Sequence, residues 1–503
     1  MKPFFVLHVL LAVLLSACGG GGGSGNAPAQ PSAPATPTPV VTAPLTGLPN
    51  SHGLYPDAKG NFQTDLEAGI FANDNGFGRS YSTAGKIDPS GPFFLTFGNG
   101  RTCNSCHKQE NGFSITSKGM QDLFAQTNGN DPIFQLVDGA NSPRVNFNSL
   151  DEKRAAYSML LSRGVIRIGL PIPASAEFEL ASLEDPYKFA SARELSLFRR
   201  PLPTANLKFL ADVMWDGRET ATDASASTCV QNTCFAALDT NLGHQANTAT
   251  IGHAQAGADL KKSDQDAIVA FQKTLFAAQQ VDTAAGLLFA ADGTGGAVAL
   301  SNASFAFGVN DIFTAVATGD THLFNQNIFA LFSSWIADAS STNPTAQAAR
   351  QSIARGQSIF NNRQFTVSKT VPGTEALNFT FFTCGTCHSV PNVGNLAEPR
   401  YFNIGTADAQ VRTPDMPLYT LRNKKTGDVV QTQDPGRAMT SGLWKDVGSF
   451  KTPTLRGLSM RAPYFHDGSA RTIEEAVAFY DKKFSIQLTQ QELMDLSAFL
   501  KAL

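Results

Sequence analysis

Cys103-Asn104-Ser105-Cys106-His107 and Cys384-Gly385-Thr386-Cys387-His388 are two copies of one pattern in a single chain. In each, two thiols three positions apart on a helical turn can reach the two vinyl groups of one porphyrin. The histidine that follows then lies under the iron as axial ligand. The pattern predicts two covalently bound haem c groups, attached through Cys103, Cys106, Cys384 and Cys387, with His107 and His388 as metal ligands. A zinc knuckle would want more Cys or His close by, yet no histidine falls between His107 and His244 or between His388 and His466. A redox dithiol would not need the histidine twice.

The other three of the seven cysteines have separate readings. Cys18 ends Leu15-Ser16-Ala17-Cys18, behind Lys2 and an apolar run from Phe4 to Leu15 that is too short to span a bilayer. Residues 1–17 read as a lipoprotein signal peptide with Cys18 as the lipidated residue, which would anchor the chain on the periplasmic side of a bacterial membrane. Five glycines and a Pro/Ala/Thr-rich stretch follow, with too few large apolar groups to offset the entropy of ordering, so residues 18–63 read as a disordered tether. Cys229 and Cys234 have no adjacent histidine and read as a local disulfide, which an oxidising compartment permits.

The remainder is long enough for two domains and a large core, since 42% of the chain is apolar and 37 residues are Phe. A net charge of −3 offers no basic field for nucleic acid. The expected fold is mainly α, with two cytochrome c-like haem domains and a long inserted region. The first domain spans 64–344 and the second 345–503. Ala346 to Phe360 reads as a helix leading toward the second motif. Thr472…Glu475 and Thr489…Glu492 read as capping boxes, the latter opening a closing helix with Leu493, Leu496, Phe499, Leu500 and Leu503 on one face. The small-residue stretch from Ala284 to Ala306 belongs to the insertion, where pockets or partner surfaces are commonly shaped.

Three further motifs accompany the haem patterns: Met214-Trp215-Asp216-Gly217-Arg218, Phe450-Lys451-Thr452-Pro453-Thr454-Leu455-Arg456, and Ala462-Pro463-Tyr464-Phe465-His466-Asp467-Gly468 running into Thr472-Ile473-Glu474-Glu475-Ala476-Val477. In content and order they resemble the bacterial dihaem cytochrome c peroxidase and MauG superfamily, over about residues 64–270 and 345–503. The resemblance implies that the first haem binds and cleaves peroxide while the second receives or holds electrons. Trp215 matches the tryptophan between them, whose π-system can relay an electron. Its other reading is a core indole packing an interface, and Asp216 and Arg218 read as structural to that turn.

Tyr480 stands fourteen positions after His466, where peroxidases of the group carry methionine and MauG-type members tyrosine. The resemblance implies Tyr480 as second axial ligand of the His388 iron, with Met460 and Met494 as alternatives. No histidine stands soon after the first motif to close that site. Gln245 matches the family's distal glutamine, and His253 or Gln255 falls where its glutamate would be; of these only His253 could shuttle a proton near neutral pH. The family also implies calcium between the haems. The carbonyls of Arg461 and Pro463 are in place, but Arg199-Arg200-Pro201-Leu202-Pro203-Thr204 lacks the matching asparagine, and a nearby arginine could replace the cation.

The expectation is an oxidoreductase of peroxidase type that reduces hydrogen peroxide at the first haem, with electrons from a periplasmic donor protein arriving through the second. A MauG-like or oxygenase-type oxidation of a partner protein or organic substrate is the alternative within enzymes. A plain electron-transfer cytochrome is the alternative of another class.

Overall fold

A computed structural model of the chain describes residues 68–222, 225, 228–230, 233–337, 343–367 and 381–503. The leader, Cys18 and the tether lie outside the described residues. Among those described, fifteen strands stand beside twelve α-helices, so the body is a mixture of helix and sheet where the sequence suggests helix. The reason is burial. The strand Leu275–Asp282 is buried along nearly its whole length, and its partner Gly76–Ser82 is buried at six of seven positions. Strands covered on both sides show no alternation of polar and apolar residues, which is the signal that would have marked them.

These two strands pair antiparallel, Phe77 facing Val281 and Ser82 facing Leu275, in a four-stranded sheet. A second long-range pairing joins Phe178–Glu184 to Leu418–Asn423, with a register shift between Thr420 and Leu421. Tyr419 and Leu421 thereby enter the same core as Phe124, Phe178 and Leu197. Polar contacts tie the same two stretches of chain. Arg199, at the end of the strand Leu195–Arg199, donates to Asp216 and to both oxygens of Asp434, all three residues being almost fully buried.

The helix over 346–360 is present as Pro344–Asn362, capped by Asn343. It packs against the closing helix Gln490–Lys501, whose cap is the Thr489–Glu492 box. Their approach is close enough that a Cβ on Gly356 would fall 1.9 Å from the Asp495 carbonyl oxygen, so only glycine permits it. Arg355 holds the same aspartate at 2.7 Å. The other cap differs from expectation: the Thr472 side chain accepts from the Glu475 N–H, but the Glu475 carboxylate reaches the N–H of Arg471 instead of Thr472. Phe329, Phe332 and Trp335, from the inserted region, fill the core beneath these helices together with Phe499 and Leu503. Part of the insertion therefore serves packing.

Candidate functional site: two cavities and a shared wall

The two Cys-x-x-Cys-His stretches fold alike for a local reason. Ser105 Oγ accepts from the Thr102 N–H at 3.0 Å, and Thr386 Oγ1 accepts from the Thr383 N–H at 3.1 Å, so a Ser or Thr inside each motif closes its turn. Neither cysteine pair is oxidised. Burial pushes the thiols of Cys103, Cys384 and Cys387 up to about 12 and that of Cys106 to about 11, which suits neither a redox dithiol nor a thiolate metal knot. Among the described residues no group of three or more His, Cys, Asp or Glu side chains is placed to hold a metal ion. His107 Nδ1 lies 3.0 Å from the Phe113 carbonyl and His388 Nδ1 2.5 Å from that of Gly394. A ring fixed in this way by a carbonyl leaves Nε2 as the ligating atom. Burial lowers the pKa of His107 and pulls His388 down to about 4, which keeps both imidazoles neutral, as ligation requires. Each turn opens on a largely apolar cavity, so the residues present fit a covalently attached haem at each.

The cavity of His107 is bordered by the helix Leu238–Gly252, which presents Gln245 and Ala249 one turn apart, with His253 one turn further at its C-cap. His253 Nδ1 lies 2.6 Å from Asp138 Oδ2. Asp138 is 3% exposed; burial raises its pKa, but the His253 hydrogen bond and the Arg101 charge outweigh this and hold it below the usual carboxylate range. Arg101 stands 2.7 Å from Asp138 and donates to the His253 carbonyl at 3.0 Å. Sequence reasoning missed both residues. Arg101 stands two positions before the first motif, but nothing in the surroundings of Asp138 marks it. His244 is directed elsewhere: its side chain is 65% exposed and meets Glu219 at 2.6 Å. Gln255 does not border this cavity. Cys229 and Cys234 form a disulfide across the short strands Thr228–Val230 and Thr233–Phe235.

Tyr480 borders the cavity of His388, on the helix Ile473–Phe484. Its hydroxyl makes no hydrogen bond among the described residues, and burial together with the Cys387 and Cys384 thiols pushes its pKa above the usual phenol range. The two methionines lie elsewhere. Met460 is buried in another cluster beside Gly78 and Gly112, and Met494 is 47% exposed.

One wall belongs to both cavities. Arg200 to Pro203, Trp215, Lys451, Pro453 and Thr454 border each of them. Trp215 Nε1 donates to the Arg200 carbonyl at 2.9 Å, and the Lys451 N–H donates to the Trp215 carbonyl at the same distance. Asp216 fixes the turn by accepting from the Arg218 N–H at 3.2 Å and from its side chain at 3.1 Å. His466 sits edge-on to Trp215, ring centres 6.4 Å apart, and is stacked on Phe450 at 4.0 Å.

At the place implied for calcium, one of the two expected carbonyls is already engaged. The Arg461 carbonyl accepts from the Arg200 guanidinium at 2.9 Å.

Sequence comparison agrees with the motifs. A cytochrome-c peroxidase, IdrP1, from Denitromonas iodatirespirans is 31% identical over 140 residues, which are 24% of this chain and 36% of that protein. The cytochrome c551 peroxidase of Nitrosomonas europaea is 38% identical over 76 residues, 14% of this chain and 23% of that protein. Over these segments the chain is similar to bacterial cytochrome c peroxidases. The matched segments span about a third or less of these curated relatives, and no family model matches the chain. A MauG-like protein associated with microbial copper homeostasis, known from a crystal structure, aligns over 82% of this chain and 87% of its own, with 14% identity and a TM-score of 0.33.

Proposed function

We propose that the chain is a dihaem c-type oxidoreductase of peroxidase type, taking hydrogen peroxide in the cavity of His107 and electrons through the cavity of His388. The observation that carries this reading is the wall that both cavities share, with Trp215 bordering each. Bound at the two motifs, haem supplies one-electron redox chemistry in both cavities and the reductive cleavage of peroxide in the first. The overall balance is one peroxide, two electrons and two protons giving two waters, the electrons coming from a small periplasmic donor protein.

The chain's own residues divide the work. His107 and His388 would hold the haem irons through Nε2, and Tyr480, which borders the second cavity, is the further candidate ligand there. With Nδ1 held by Asp138, His253 has Nε2 free to take a proton from one peroxide oxygen and return it to the other. Gln245, on the same face, can orient the bound oxidant. Trp215 offers an aromatic step between the cavities, its indole fixed by the Arg200 carbonyl. Cys18 would carry the lipid that keeps the body at the periplasmic side of the membrane; no helix among the described residues is long and apolar enough to cross one.

A second reading, oxidation of a partner protein or organic substrate in the MauG manner, is favoured by Tyr480, because an oxygen ligand stabilises ferric iron where a thioether stabilises ferrous. One experiment separates these readings from a plain carrier. Holoprotein is mixed with a reduced c-type cytochrome and hydrogen peroxide, and peroxide loss is followed against donor oxidation. Two donors oxidised per peroxide supports the peroxidase. Peroxide consumed without donor turnover points to the second reading. A protein carrying both haems that leaves peroxide untouched, even after one-electron reduction, is an electron carrier.

A further inference from the structure

Arg200 is 6% exposed, yet among the described residues no carboxylate forms an ion pair with it. Among the described residues its guanidinium is received by main-chain oxygen alone. Nη2 donates to the carbonyls of Ile115 at 2.8 Å and Arg461 at 2.9 Å, and Nη1 to those of Arg163 at 3.0 Å and Gly164 at 3.4 Å. Arg199 and Arg101 are served differently, Arg199 by Asp216 and Asp434 and Arg101 by Asp138, while Arg456, also buried, meets two carbonyls, those of Asn392 and Gly296, where Arg200 gathers four. A ring of carbonyls converging from separate loops on one buried positive charge is how proteins receive a hard cation. Here the chain supplies the cation itself, in a planar fork whose donors meet the carbonyls one by one.

The cradle is shaped for that fork. Gly164, left-handed at φ 60° where the helix Ser158–Arg163 ends, lies so near that a Cβ there would fall 2.5 Å from Arg200 Nη1. The position is also central. Arg200 borders both cavities, and its own carbonyl holds the Trp215 indole. Burial and the neighbouring Arg461 charge pull its pKa down to about 9, so it stays charged at neutral pH.

We infer that the Arg200 guanidinium is a built-in cation in the wall between the two cavities, standing where the family resemblance implies calcium, so that this protein joins its two sites without a divalent ion. The inference rests on the dihaem reading only for what the wall separates. Arg200 acts as a positioning residue, bracing Trp215 and adding a fixed positive charge that favours the reduced state of a redox group on either side.

The test uses haem-loaded holoprotein. Calcium content is measured by elemental analysis after gel filtration, and both midpoint potentials and the melting temperature are recorded with a calcium chelator and with added calcium chloride. Calcium well below one per chain is expected, with potentials and melting unmoved by either treatment. Stoichiometric calcium, or a chelator that shifts the potentials, overturns the inference whether or not the protein consumes peroxide. Arg200→Gln should lower both potentials, while Arg200→Lys, which keeps the charge but loses the fork, should hold them near wild type and lower only the melting temperature. Should Arg200→Gln fail to fold, the lysine variant decides: wild-type potentials support the inference, and potentials that fall with the charge retained overturn it. An Arg200→Gln protein with wild-type potentials also overturns it.

Discussion

His253 Nδ1 and Asp138 Oδ2 stand 2.6 Å apart, so the imidazole that borders the first cavity is held by a buried carboxylate from a distant part of the chain. If Nε2 moves the proton of peroxide, His253→Ala should slow the first reaction with peroxide by roughly 10²- to 10⁴-fold. Asp138→Asn should give a smaller loss and displace the pH profile of the same step, because the ring loses its fixed orientation. Stopped-flow mixing across pH reads both. An unaltered rate in His253→Ala removes this histidine from the chemistry, and a new high-spin ferric signal in that variant would mark it as an iron ligand.

Trp215→Phe keeps an aromatic ring in the wall and deletes the hydrogen bond to the Arg200 carbonyl. The first reaction with peroxide should remain close to wild type, while turnover with the reduced donor protein slows. Comparison of single-mixing rates with steady-state donor oxidation checks this. Equal slowing of both would assign the indole to packing.

Tyr480→Met should raise the reduction potential of the His388 centre, since axial exchange moves haem potentials within a range of about 0.8 V. Spectroelectrochemistry gives the answer directly, and an unchanged potential would place the phenol in the wall without a bond to iron.

The Arg199–Asp216–Asp434 cluster predicts acid sensitivity. Asp216 is fully buried, and although burial raises its pKa, Arg199 and Arg218 outweigh this and hold it far below the usual carboxylate range. A depressed folded-state pKa contributes stability that is present above the unfolded value of about 3.9 and is lost as pH falls below it. Asp216→Asn should therefore cost about 3–5 kcal/mol at neutral pH, as breaking a buried pair does, and should flatten the fall in stability below pH 4. Chemical denaturation at several pH values tests the direction and the slope.

Alanine is normally the better helix residue by about 1 kcal/mol, yet Gly356→Ala should destabilise. The added methyl meets the Asp495 carbonyl, and overpacking of this kind costs about 1–3 kcal/mol. A melting temperature at or above wild type would show that the two helices can move apart.

What could be read from the sequence was what is local. The motif turns, the cap of the closing helix and the disulfide loop depend on residues a few positions apart, and Tyr480, fourteen positions after His466, lies on a helix that borders the second cavity. The strands were hidden because Leu275–Asp282 is buried on both sides, two glutamines included, and so shows no alternation of polar and apolar residues. Asp138 was hidden because its partners, Arg101 and His253, lie far off in the chain with no motif to join them. Arg200 shows the middle case. The missing asparagine and the arginine beside it were visible, but four carbonyls converging on one guanidinium are a property of the fold.

The shared wall also bears on how such a protein is made. Arg200 to Pro203 come from one part of the chain and Lys451 to Thr454 from near its other end, and they stand side by side between the cavities. Neither cavity has all its sides until the later segment has been synthesised and docked. The first Cys-x-x-Cys-His turn, closed by its own Ser105, is local enough to form and be loaded while its cavity is still open on one side. If haem is attached at that turn, attachment can precede the closing of the wall, which completes both cavities at once.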